Sequence, residues 1–125
     1  MDKNQLLELA QSINHEYELG IWSEINAFMG YNNKKISDFI LSFSELEQCF
    51  FLKILMVDYK DASSIFLKLV EFIEYKNATF YIREKSDHGI EYFVLSSMNS
   101  KKGFLLRVEF IESRERFNEM KRTPH

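Results

Sequence analysis

Residues that build reactive sites and sharp turns are scarce in this chain: one cysteine, one proline, four glycines and three histidines among 125 residues. A single cysteine excludes an internal disulfide and makes a reducing, cytoplasmic interior the expected compartment. The glycines stand apart, at Gly20, Gly30, Gly89 and Gly103, so no glycine-rich loop cradles a phosphate. Long apolar runs are also missing. The densest, Cys49 to Val57, is broken by Lys53 and falls far short of the roughly 20 residues that cross a bilayer. The N-terminus, Met1-Asp2-Lys3-Asn4-Gln5, has neither the basic segment nor the apolar stretch of a signal peptide, so no membrane association is expected.

What the chain has in quantity is core material: twelve Phe, six Tyr and one Trp. With 46% hydrophobic and 28% charged residues it has the composition of a globular protein rather than a disordered one. The net charge of −3 is unevenly spread. Residues 1–30 carry five acids (Asp2, Glu8, Glu16, Glu18, Glu24) against Lys3, a local −4, whereas residues 113–125 carry four bases against two acids, a local +2. An acidic N-terminal element repels nucleic acid and attracts a basic protein surface.

The apolar spacing predicts helices first and strands second. Asp2 is a good N-cap, and Leu6, Leu9, Ala10, Ile13 and Tyr17 follow at helical intervals. Gly20 interrupts the pattern. Ile21, Trp22, Ile25, Phe28 and Met29 resume it, and Gly30 is placed to cap it. Residues 36–43 read as a short helix. Ser44-Glu45-Leu46-Glu47 matches a capping box, with Leu46, Cys49, Phe50, Lys53, Ile54 and Val57 as the stripe of a central helix behind it. Asp61 is placed to cap another helix. After Asn77 the period falls to 2: strands are expected over 79–83, 90–95 and 104–110, joined by a turn at Ser86-Asp87-His88-Gly89 and a polar loop over 96–103. The expected fold is therefore α+β in one domain: an N-terminal helical half of three to five helices (1–77) packed on a C-terminal three-stranded antiparallel meander (78–112). A charged tail (113–125), either a short helix or a frayed end, follows.

Candidate sites all have structural explanations beside them. His15 and Glu18, with Glu8 two turns away, share a helix face at metal-ligand spacing but lack further ligands. Asp87-His88-Gly89 offers an oriented histidine, yet these residues are also what a hairpin turn selects. Cys49 sits on the apolar stripe, where cysteine packs as a small hydrophobe. Lys101, Lys102, Arg107, Arg114, Arg116, Lys121 and Arg122, with Tyr81 and Tyr92, sketch an RNA-binding face, but five glutamates interleave with them. The pattern implies no catalytic residue, no cofactor and no metal. The cluster least explained by folding is aromatic and acidic: Glu16, Tyr17, Glu18, Trp22 and Glu24, beside Tyr31. Rings supply buried contact and carboxylates speed the approach of a basic partner.

The acidic first 30 residues, the Phe-rich segment from Ile36 to Tyr75 and the strands from Thr79 to Phe110 together resemble the small immunity proteins of bacterial toxin systems, including those of contact-dependent growth inhibition. The likeness is one of proportions and carries no motif or site residue with it. It implies a cytoplasmic, non-enzymatic inhibitor that binds a toxin domain, here a nuclease with a basic surface. An acidic secretion chaperone or adaptor is the second expectation and an RNA-binding module the third; a homodimer is left open.

Overall fold

A reciprocal cap starts the first helix in the computed structural model, which describes residues 2–11, 18–74, 78–99 and 102–122. The Asp2 carboxylate accepts the Gln5 N–H while Gln5 Oε1 accepts the Asp2 N–H, both at 2.9 Å. Helix α1 (Lys3–Gln11) follows, then α2 (Glu18–Tyr31). Helix α2 buries Ile21, Ile25, Phe28 and Met29, one stripe at helical spacing. Gly30 lies inside α2 rather than capping it. Asn32 does that work: its side-chain amide donates to the Phe28 carbonyl at 2.9 Å, and its backbone N–H reaches the same carbonyl at 3.2 Å.

The next segment overturns the expected fold. Residues 36–57, read as two helices, form a β-hairpin of β1 (Ile36–Ser44) and β2 (Cys49–Met56). The strands pair antiparallel from Ile36↔Met56 to Ser44↔Cys49. Strand β2 is apolar on both faces because both are covered, and a short continuous apolar run fits a buried strand as well as a buried helix. The capping-box signal was half present. Ser44 Oγ does accept the Glu47 N–H, at 3.1 Å, but here that bond tightens the hairpin loop Glu45–Gln48. Gln48, at φ 52°, turns the chain back into β2.

A single 3-10 turn, Tyr59–Asp61, leads into α3 (Ala62–Glu74). Asp58, not Asp61, caps this lead-in, its carboxylate accepting the Lys60 N–H at 3.1 Å. Strands β3 (Ala78–Ser86), β4 (Gly89–Asn99) and β5 (Lys102–Ile111) then run antiparallel in succession. The charged tail ends in helix α4 (Arg114–Arg122), where Ser113 Oγ accepts the Arg116 N–H at 3.3 Å. The strands form one five-stranded sheet of order β1-β2-β5-β4-β3, with β2 parallel to β5. A mixed five-stranded sheet thus replaces the three-stranded antiparallel meander under a helical half. Two of its strands come from the segment expected to be helical, and β5 pairs with β2 instead of ending the sheet.

Register sorts the side chains onto two faces. On the inner face, Phe50, Leu52, Ile54, Tyr92, Val94, Leu106, Val108 and Phe110 meet the stripe of α2 and Ile65, Phe66, Leu69, Val70 and Ile73 of α3 in one continuous core. The outer face carries two smaller clusters. Leu6 of α1 packs with Cys49, Phe93, Leu95 and Leu105. Phe117 of α4 packs with Leu55 and Ile111.

Candidate functional site on the outer sheet face

Between the two outer clusters the sheet presents charges. Lys53 on β2 opposes Glu109 on β5, which opposes Glu91 on β4, which opposes Glu84 on β3. One row away, Arg107 lies opposite Phe51 on one side and Phe93 on the other. Because these neighbours share a face, the guanidinium sits between two rings, 4.8 Å from each centroid. It donates to Glu91 Oε1 at 2.9 Å and stands 3.6 Å from Glu47 Oε1 at the hairpin loop. Lys3 of α1 repeats the arrangement at smaller scale, 3.0 Å from Glu84 and 4.6 Å above the Phe93 ring.

Burial makes this band unusual. Glu91 and Glu109 are only 9% and 8% exposed, and the Arg107 Nε is buried without a hydrogen-bond partner. A carboxylate removed from water needs a partner to remain favourable, and Arg107 supplies it for Glu91. Among the described residues Lys53 has no ion-pair partner. It lines a shallow groove of about 470 Å³ together with Ser42, Ser44, Leu46, Glu47 and Phe51. Leu46, at the rim, is 94% exposed. The arrangement offers fixed cations, carboxylates, hydroxyls and a ring on one surface. Such a surface can hold and orient a partner group; it presents no nucleophile beside a base.

The residues singled out in the sequence fall elsewhere. Glu16, Tyr17 and His15 lie outside the described residues. Glu18 is the first residue of α2. Trp22 is half-buried against the core, edge-on to Phe50 with centroids 6.4 Å apart, and Glu24 is half-buried on the same helix. Tyr31, at the end of α2, is 80% exposed. The structure therefore separates Trp22 and Glu24 from the outer band by the thickness of the sheet.

His88 is held by the hairpin turn: its N–H donates to Ser86 Oγ at 3.3 Å and its carbonyl accepts the Glu112 N–H at 2.8 Å. Gly89 after it adopts φ 153°, where a Cβ would meet the Phe110 carbonyl oxygen at 2.0 Å, so only glycine fits. Burial, reinforced by the nearby charge of Glu47, pushes the Cys49 thiol up to about 11, which leaves it protonated and unreactive at neutral pH. Tyr92 is stacked against Phe66 at 3.6 Å beneath α3, which takes its ring out of reach of a nucleobase. Among the described residues no group of three or more His, Cys, Asp or Glu is placed to hold a metal, and no helix is long and apolar enough to cross a membrane.

The period of 2 over 104–110 sets Arg107 and Glu109 away from the apolar side of β5 but does not show what they meet. The signal was the alternation itself: Glu91 and Phe93 alternate in the same way on β4. Pairing them with Arg107 requires the β4–β5 register, which the polar loop between the strands conceals. No family model, curated protein or solved structure matches the chain, so the reading of this surface rests on its geometry.

Proposed function

We propose that the chain is a non-enzymatic binding protein that neutralises a cognate bacterial toxin, a nuclease, by covering its active surface inside the cytoplasm. The observation that carries this reading is the immobilised Arg107 between Phe51 and Phe93, set beside a groove whose rim exposes Leu46. Rigid rings and a pre-oriented guanidinium are typical anchors of protein interfaces, because little conformational freedom is lost when a partner docks. Glu47, exposed at the hairpin loop, and the acidic N-terminal segment complement the basic surface that a nuclease uses to hold phosphate. Cys49 and His88, the residues best suited to chemistry, are engaged by packing and by a turn.

The reading predicts a toxin domain encoded beside this chain, and mixing the two purified proteins tests it. A one-to-one complex by light scattering and loss of nuclease activity on mixing are expected. Two variants locate the contact. Glu47→Lys at the groove sets a cation against the partner's basic surface and should weaken the complex at least about tenfold. Reversing Glu16, Glu18 and Glu24 together should slow association and reduce its salt sensitivity, because exposed charges act mainly on encounter. A toxin domain that stays fully active with excess chain present sinks the proposal. Steeply salt-dependent binding to RNA in a filter assay would instead favour a nucleic-acid role.

A further inference from the structure

One glutamate of the outer band has no cation in reach. Lys3 holds Glu84 at 3.0 Å, and Arg107 holds Glu91 at 2.9 Å and stands 3.6 Å from Glu47. Glu109 is the exception. It is 8% exposed, yet among the described residues no hydrogen bond or ion pair reaches it. Register sets it directly opposite Glu91, and like charges in that position destabilise a sheet. Burial adds a second cost, because neither water nor a partner compensates the charge.

The fold's own packing has no use for this carboxylate. Alternation along β5 brings Arg107, Glu109 and Ile111 onto one face. Arg107 is already held between Phe51 and Phe93, and Ile111 packs with Leu55 and Phe117. On β2, Lys53 lies opposite Glu109 in register but makes no ion pair with it and lines the hairpin groove.

Granted the binding role proposed above, we propose that Glu109 is one half of an intermolecular ion pair. With Glu91 as its second wall, it forms a socket for the cationic end of an arginine or lysine side chain on the protein partner. The occupant follows from charge. Two opposed carboxylates need a cation between them, and Arg107 reaches Glu91 and Glu47 but not Glu109. A guanidinium or ammonium carries donors enough for both. A metal ion would take more oxygen ligands than two carboxylates supply, and among the described residues no third His, Cys, Asp or Glu joins them. Seated there, the cation compensates Glu109 and relieves its repulsion from Glu91. A destabilising contact of the free chain thus becomes a favourable one in the complex.

The free chain supplies the first test. Glu109→Gln keeps the shape and removes the charge, so the midpoint of thermal unfolding should rise by about 3 °C or more. Lys53→Met should shift it by no more than about 2 °C. A midpoint that holds or falls on Glu109→Gln makes the carboxylate part of an internal arrangement and overturns the proposal. Next, an end-blocked Gly-Arg-Gly peptide should move the amide NMR signals of Glu91 and Glu109, and the same peptide with neutral citrulline in place of arginine should not. Glu109→Gln should abolish those shifts. Shifts spread evenly over the exposed acids, or equal with citrulline, overturn the socket. Last, Glu109→Gln should weaken the complex with the toxin domain at least about tenfold, chiefly by faster dissociation. An undiminished complex overturns the socket and leaves the function proposed above standing. A toxin domain that never binds, while the arginine peptide still seats at Glu109, removes that function and keeps the socket.

Discussion

The inner and outer faces of the sheet use the same five strands to different ends. The inner face is apolar from row to row: Phe50, Leu52, Ile54, Val94, Leu106, Val108 and Phe110 are all fully buried under α2 and α3. The outer face has two apolar islands, one under α1 and one under α4, and between them lie Arg107, Glu91, Glu109 and Lys53. A face whose only task was stability would gain nothing from burying carboxylates, because a well-packed apolar replacement is often equal or better. On the proposed function, the inner face serves stability and the outer one recognition.

The sharpest way to break that division is to truncate one residue on each side. Phe110→Ala removes a fully buried ring that stands edge-on to Tyr92, with centroids 6.0 Å apart. It should cost about 3–5 kcal/mol in urea unfolding. Arg107→Ala should cost about 3 kcal/mol, mainly because Glu91 is left buried without its partner. The companion experiment separates the faces. Replacing the pair together, Arg107→Met with Glu91→Leu, should return stability to within about 1 kcal/mol of wild type while abolishing partner binding. No apolar swap at Phe110 separates stability from binding in that way. If the double variant still binds its partner, the outer band has no recognition role.

A smaller effect follows from Cys49, which belongs to the outer face but behaves as core. Its thiol is 1% exposed and pushed up to about 11, first by burial and then by the Glu47 charge. The folded state therefore holds this proton more tightly than the unfolded state does. The resulting stabilisation is complete below about pH 9 and is lost as pH rises towards 11, at about 1.4 kcal/mol per pH unit. Stability curves of wild type and Cys49→Ala should converge over this window, the variant having the shallower alkaline limb. Parallel curves would place the thiol in contact with solvent.

How much of this was legible in the sequence differs by region for physical reasons. Strands 79–110 were readable because one face of each is half-buried or interrupted by charge, which leaves a visible period of 2: Phe104, Leu106, Val108 and Phe110 against Arg107 and Glu109. Strand β2 was not, because burial on both faces erases the alternation, and Ser44 made a bond that serves a helix start and a hairpin loop alike. Its residues Phe50, Phe51 and Ile54 favour strands, but composition alone cannot outweigh a matched capping box. The parallel β2–β5 pairing joins residues 56 positions apart in the chain, as Phe50 and Leu106 are, so no local pattern announces it. The candidate site inherits that blindness: its parts come from β2, β4, β5 and one hairpin loop.

The smallest stability effect makes the most pointed test of the outer face. Leu46 is 94% exposed at the tip of the β1–β2 loop, flanked by Glu45, Glu47 and Gln48. It packs on nothing that would miss it, so Leu46→Asp should change unfolding free energy by no more than about 0.5 kcal/mol. Its only evident use is at the rim of the groove beside Phe51 and Lys53, where a partner would bury it. Burying a leucine side chain contributes about 2 kcal/mol, so the same substitution should weaken a complex about thirtyfold or more, chiefly by faster dissociation. Affinity that survives Leu46→Asp moves the docking surface off the hairpin and leaves the acidic N-terminal segment to account for binding.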